Sequence, residues 1–198
     1  RKGSVMTRDY LTVMLVNMTA GLILLGLFLL LGLGTQRGRS FAPAFAAVGL
    51  VACMTGLHMT LTWPLQSIGG NDVRWANIAF GEPALLLGTV YLAAAVALWK
   101  DWNLLPVGVY AAVTGAAAIL IGAKIGLAGM TAKPSLSAAG FVLAGTAAVG
   151  TLVAVALPDV RPLRWVAGVI AFLAAGIWAL TGLGAYWKHV STGFVSAL

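Results

Sequence analysis

Long apolar runs alternate with short polar breaks along this chain, and six runs stand out. They cover 10–34, 42–63, 77–99, 104–129, 135–157 and 165–187. A membrane-spanning helix needs about 20 mostly apolar residues, and every run reaches that length. The breaks carry the expected punctuation: Thr35-Gln-Arg-Gly-Arg39, Pro64, Lys100-Asp101, the stretch from Met130 to Pro134, Pro158 to Pro162, and Lys188-His189. An open-ended chain in lipid satisfies its backbone groups only as helix, and the runs are too long for barrel strands. The pattern therefore predicts an all-α integral membrane protein with six transmembrane helices in a compact bundle. Residues 1–198 would form one domain, with residues 1–5 reading as additions ahead of a native start at Met6. The first run is too long for a signal-peptide core, and no small-residue cleavage site follows it.

An even number of spans puts both termini on one side, the first side. Arg8, Arg74, Lys133 and Lys188 flank the spans there, against Arg37, Arg39, Lys100, Arg161 and Arg164 on the second side. The excess tips the second side toward the cytoplasm and the termini outward. Counting Arg1 and Lys2 reverses it. The longest break, 64–76, lies on the first side and is rich in Gly, Asn and Ser. Long loops of this kind more often carry function.

Composition agrees with the pattern. Hydrophobic residues make up 61% and charged residues 9%, whereas a soluble domain carries roughly 25% charged residues. The net charge of +7 does not imply nucleic acid. The cations are scattered singly, without a basic stripe or interleaved aromatics, and suit loop anchoring and anionic lipid headgroups. Cys53 is the sole cysteine, so no intrachain disulfide forms. Trp63, Trp75, Trp99, Trp102, Trp165 and Trp187 stand at span ends, as membrane-interface aromatics do. Trp178, in the middle of the sixth run, does not.

A weak internal repeat is visible. The odd spans align on Gly26, Gly88 and Gly145. The even spans align as MTGLH (Met54–His58), LIGAK (Leu120–Lys124) and LTGLG (Leu180–Gly184). This suggests three helical hairpins about a pseudo-threefold axis, with His58, Lys124 and Gly184 in equivalent places.

The candidate chemistry lies where polar groups interrupt the apolar runs. A charged side chain in a bilayer costs about 2.5–3.5 kcal/mol on insertion scales, so its presence calls for a reason. His58, Glu82 and Lys124 each lie five residues inside a predicted span end on the first side, roughly 8 Å in. Asn17 belongs to the same layer. Together they predict a substrate- or ion-binding site, or a proton relay. Each also has a plainer reading. Lys124 can snorkel to the headgroups, and His58 or Asn17 can join neighbouring helices. Glu82 has the fewest such readings, and Pro83 follows it. Proline donates no backbone hydrogen bond and opposes helix in the residue before it. Gly81-Glu82-Pro83 therefore predicts a break, with irregular backbone over 77–81 and Glu82 at a helix N-terminus.

Methionines crowd the same half, and Met54 and His58 share a helix face. Thioether and imidazole suit copper(I), so His58, Met54 and Glu82 are candidate metal ligands. His58 is also a candidate axial ligand for a single-histidine haem, since His189, the only other histidine, lies just outside the membrane. No nucleophile-elbow, zinc-protease or phosphate-loop motif is present, so catalysis is not expected.

The runs Gly-Leu-His-Met-Thr-Leu-Thr-Trp-Pro (56–64) and Phe-Gly-Glu-Pro (80–83), with Asp-Tyr-Leu-Thr (9–12), carry a resemblance. With them the chain resembles a family of small prokaryotic multi-pass membrane proteins catalogued as a domain of unknown function. The resemblance covers nearly the whole chain from Met6. It implies a bacterial or archaeal cell membrane and supplies no activity, substrate or cofactor. The residues point first to a channel or transporter for a small ion or solute, needing no cofactor. A redox or metal protein with haem or copper at His58 is the second reading, and a structural or assembly subunit the third. The expected partners are the lipid bilayer, a small ion or solute, and a second copy or another membrane subunit.

Overall fold

A computed structural model of the chain describes residues 11–68 and 71–195. It contains α1 (Leu11–Leu27), continued by a π-helical turn (Phe28–Gly32), and α2 (Ala42–Thr62), preceded by a 3-10 turn (Gln36–Phe41). Then follow α3 (Trp75–Lys100), α4 (Leu105–Ala128), α5 (Pro134–Ala156) and α6 (Arg161–Val195). All six helices are long and apolar enough to cross a membrane. Residues 1–5, with the suggested native start at Met6, lie outside the described residues.

Proline placement explains several helix starts. Pro43, Pro106 and Pro134 sit in the first turns of α2, α4 and α5, where a missing N–H has no intrahelical partner to lose. Pro162 does the same for α6, which begins at Arg161. The segment 158–162 was expected to separate two spans. It does so, with α5 ending at Ala156 and α6 starting within the segment at Arg161.

Pro83 corrects an expectation. The predicted break at Gly81-Glu82-Pro83 is absent, and α3 runs unbroken from Trp75 to Lys100 with Pro83 inside it. Residues 77–81 are helical, and Glu82 lies seven residues past the helix start rather than at an N-terminus. Neighbouring helices can absorb a proline within a membrane span. Here Gly81, Pro83 and Ala84 are all buried.

The six helices follow one another around a closed ring in chain order, with α6 returning to α1. The most extensive packing is within α2–α3 and α4–α5, α1–α6 and α5–α6 follow at similar extent, and the α1–α2 and α3–α4 seams are thinner. The expected hairpins pair each odd helix with the even helix after it; of these α5–α6 is well packed, whereas α1–α2 and α3–α4 pack less than α2–α3 and α4–α5 do. Glycines fix the pairs α2–α3, α4–α5 and α1–α6. A Cβ on Gly56 would stand 2.5 Å from the Leu85 amide nitrogen of α3. One on Gly122 would meet Phe141 Cβ of α5 at 2.8 Å, and one on Gly182 would meet Leu15 Cβ of α1 at 2.9 Å. Small residues that let backbones approach this closely replace the hydrophobic drive that lipid cannot supply between helices. Gly56, Gly122 and Gly182 thus have like roles. Gly26 does not match Gly88, because it packs on the Phe172 ring whereas Gly88 packs on the Cys53 backbone.

Two second-side arginines serve helix ends. Arg164 Nε donates to the Leu29 carbonyl at 2.9 Å, inside the π-helical turn that ends α1. Arg39 donates to the Trp99 carbonyl at 2.7 Å, near the end of α3. A cation at a helix C-terminus is favoured by the macrodipole as well as by the hydrogen bond.

On the first side, the connection between α2 and α3 is tied down from below. Asn77 is fully buried. Its Oδ1 accepts the Leu65 N–H at 3.0 Å, and its Nδ2 donates to the Leu65 and Arg74 carbonyls at 2.7 and 3.0 Å. Above it Ser67–Ile68 pairs antiparallel with Asn71–Asp72. Asp72 accepts from Arg74, which holds its carboxyl well below the usual range, at about 2.

Candidate functional site

His58 and Lys124 lie four residues before the ends of α2 and α4, and Glu82 seven residues past the start of α3, but the polar side chains predicted to form one layer do not converge. Gly56 marks the face of α2 that meets α3. His58, two residues on, is turned by about 200° from it and is exposed. Its Nδ1 lies 3.3 Å from Thr62 Oγ1 on the next turn. Lys124 stands in the same relation to Gly122 and is also exposed. Glu82 is exposed on the outer side of α3. Among the described residues neither Glu82 nor Lys124 makes a hydrogen bond or ion pair, and the sole ion pair is Arg74–Asp72. The structure therefore does not gather His58, Glu82 and Lys124 around one internal point.

Asn17 faces inward. Its Nδ2 donates to the Val48 carbonyl of α2 at 3.0 Å, joining the two helices. Met54 is exposed beside His58 on the outer face of α2. Among the described residues, no group of three His, Cys, Asp or Glu side chains is placed to hold a metal. A haem on His58 would lie against the outside of the bundle.

Space is found inside the ring instead. Three small cavities of about 50, 20 and 30 Å³ follow one another there. Met18 lines all three, Met14 the smaller two, and Tyr91 and Leu87 the larger and the smallest. The largest has walls from α1 to α5, including Phe28, Phe45 and Ala148. The third lies between α1, α3, α5 and α6, against Phe80, Pro83, Phe141 and Trp178. No Asp, Glu, Lys, Arg or His lines any of the three.

Aromatic clusters contribute walls to the largest and the third cavity. Toward the first side, Phe80, Phe141 and Trp178 pack with ring centroids 5.2 to 6.5 Å apart. Toward the second side, Phe28, Phe41, Phe45 and Tyr91 form a chain at 5.3 to 6.0 Å. The polar atoms along the series are few and uncharged. Asn17 and Thr55 border the smallest cavity. Trp178 Nε1 is the buried side-chain polar atom without a hydrogen bond among the described residues. Leaving such a donor unpaired costs about 1–3 kcal/mol, and Trp178 lines the third cavity.

Sequence reasoning missed most of this. Trp178 gave a signal by standing away from the interfacial tryptophans. Asn77 stands in the sequence at a span start and at the head of the expected irregular segment 77–81, and Met18 and Tyr91 look like ordinary packing residues in a row of letters.

Six apolar helices closed into a ring, with no Asp, Glu, Lys, Arg or His lining the three cavities inside, define an all-helical multi-pass membrane protein. The chain belongs to the family described as protein of unknown function (DUF981), whose model matches residues 6–192. No curated protein and no solved structure matches it.

Proposed function

We propose that the protein is a transporter for a small, neutral, weakly polar solute that crosses along the axis of the ring. The observation that carries this reading is the series of three cavities sharing Met18 as a wall, with aromatic clusters walling the largest and the third. Each cavity is far smaller than the roughly 150 Å³ that admits benzene, so passage requires side chains along the series to move. Methionine is unbranched, with three rotatable bonds, and adapts readily to its surroundings. Rotation of Met18 would join neighbouring cavities without moving a helix. The uncharged walls favour a neutral solute over an ion, because an ion would lose its hydration there without a paired charge to replace it.

The test is uptake by proteoliposomes, with urea and glycerol as neutral probes and potassium as the ionic one. The neutral probes should enter faster than into empty liposomes, and potassium should not. Met18→Trp, which fills the shared wall, should abolish the difference, while His58→Ala and Glu82→Gln should retain it. Uptake equal to that of empty liposomes, or normal uptake by Met18→Trp, would refute the proposal.

A further inference from the structure

We infer that the outer face formed by α3 and α4 is a contact between two copies of this chain, in which Glu82 of each copy pairs with Lys124 of the other. This inference does not depend on the transport reading. It starts from a mismatch between chemistry and place. Glu82 is exposed on the outside of the ring, seven residues beyond Trp75, or about 10 Å into the helix. A carboxylate has too short a stem to reach the headgroups from there. Lys124 is exposed on the outside of the adjoining helix, four residues before Ala128, or about 6 Å in. Ionisable groups within a membrane ordinarily face the bundle interior or pair with one another. These two do neither within the described residues.

Opposite charges on neighbouring helices, differing by about 4 Å in distance from the helix ends, are self-complementary when the long lysine stem spans that difference. A two-fold axis along the membrane normal keeps every group at its own depth. It therefore brings Glu82 against the second copy's lysine at one point and Lys124 against the second copy's glutamate at another. The α3 surface suits close approach as well. Thr89 and Ala93 are small, exposed and on the same side of α3 as Glu82, seven and eleven residues along. The nearby exposed apolar side chains, such as Val113 and Leu120, would be as comfortable in lipid as in protein. The pair of charges is what selects a second copy as the occupant.

The experiment counts subunits of the full-length, fluorescently tagged protein in liposomes by single-molecule photobleaching, at falling protein-to-lipid ratio. The unaltered chain should bleach in two steps. Glu82→Lys and Lys124→Glu each place like charges together and should shift the population to single steps. The double exchange restores the pairing and should restore two steps. The variant combining Glu82→Gln with Lys124→Met removes the charges without repulsion. It should raise the dimer dissociation constant roughly tenfold or more while its unfolding transition stays in place. Single-step bleaching of the unaltered chain at every density would overturn the inference. So would an assembly larger than two, single exchanges that still pair, or a double exchange that does not recover.

Discussion

Substituting Ala at Gly56 sets one of the tightest contacts of the bundle against the ordinary benefit of removing glycine from a helix. The added Cβ would stand 2.5 Å from the Leu85 amide nitrogen, 2.8 Å from the Gly81 carbonyl oxygen and 3.0 Å from Leu85 Cα. All three are backbone atoms of α3, so no side-chain rotation relieves the clash. Ordinary contact at a Cβ begins near 3.4 Å, so α2 must move away from α3 by about an ångström, at an overpacking cost of about 1–3 kcal/mol. Against this, alanine gains about 0.8–1 kcal/mol in helix propensity. Gly176 in α6 isolates the second term, because nothing lies within 4 Å of a Cβ built there. Propensity cancels between the two variants, and Gly56→Ala should be about 1–3 kcal/mol less stable than Gly176→Ala. Reversible unfolding in mixed micelles, with increasing sodium dodecyl sulfate, measures the difference. Two variants within about 0.5 kcal/mol of each other would show that the glycine contact is not what holds α2 to α3.

Asn77→Ala strands both the N–H and the carbonyl of buried Leu65, so a loss of about 2 kcal/mol or more is expected. Amide exchange at Leu65 should accelerate, and unchanged protection there would contradict the assignment. Trp178→Phe keeps a ring against Phe80 and Phe141 while deleting the unpaired donor. Loss of packing and relief of the donor oppose each other, so the net change should stay under about 1 kcal/mol, against about 3–5 kcal/mol for Phe141→Ala. A cost near the latter value would mean that Trp178 Nε1–H is hydrogen-bonded in the membrane. Asp72 is held at about 2 against an ordinary 3.8, chiefly by its hydrogen bonds from Arg74. A depressed carboxylate contributes to folding above its unfolded value and loses that contribution as pH falls through its folded one. The Asp72–Arg74 pairing should therefore be complete above about pH 4 and fade toward pH 2, with Arg74→Gln returning the carboxyl midpoint toward its ordinary value in an NMR titration.

Length and hydropathy were enough to place six helices, because a bilayer imposes one requirement on every span. The boundaries at Pro83 and Pro162 were less legible. A proline breaks a helix or starts one according to its position in the turn and to what surrounds it, and neither is written in the residue itself. Pro162 falls in a first turn. Pro83 is enclosed by neighbours that tolerate the missing N–H. Pairing was harder still, since an apolar run does not say which neighbour it prefers. The decision lay in single glycines whose partners are distant in sequence, such as Gly56 with Leu85 and Gly182 with Leu15.

The direction of the polar side chains was nevertheless available from local geometry. Gly56 and His58, and likewise Gly122 and Lys124, are two residues apart, and two residues turn a helix by about 200°. If the glycines mark the faces where helices meet, the residues two places on must look away from them. Depth along a span and direction around it are independent coordinates. Depth alone made His58, Glu82 and Lys124 look like the lining of one pocket. Adding direction turns them outward and leaves the axis to Met18, Tyr91 and Trp178. The interior then favours a neutral solute, whereas the exposed opposite charges of Glu82 and Lys124 concern what meets this protein from the side.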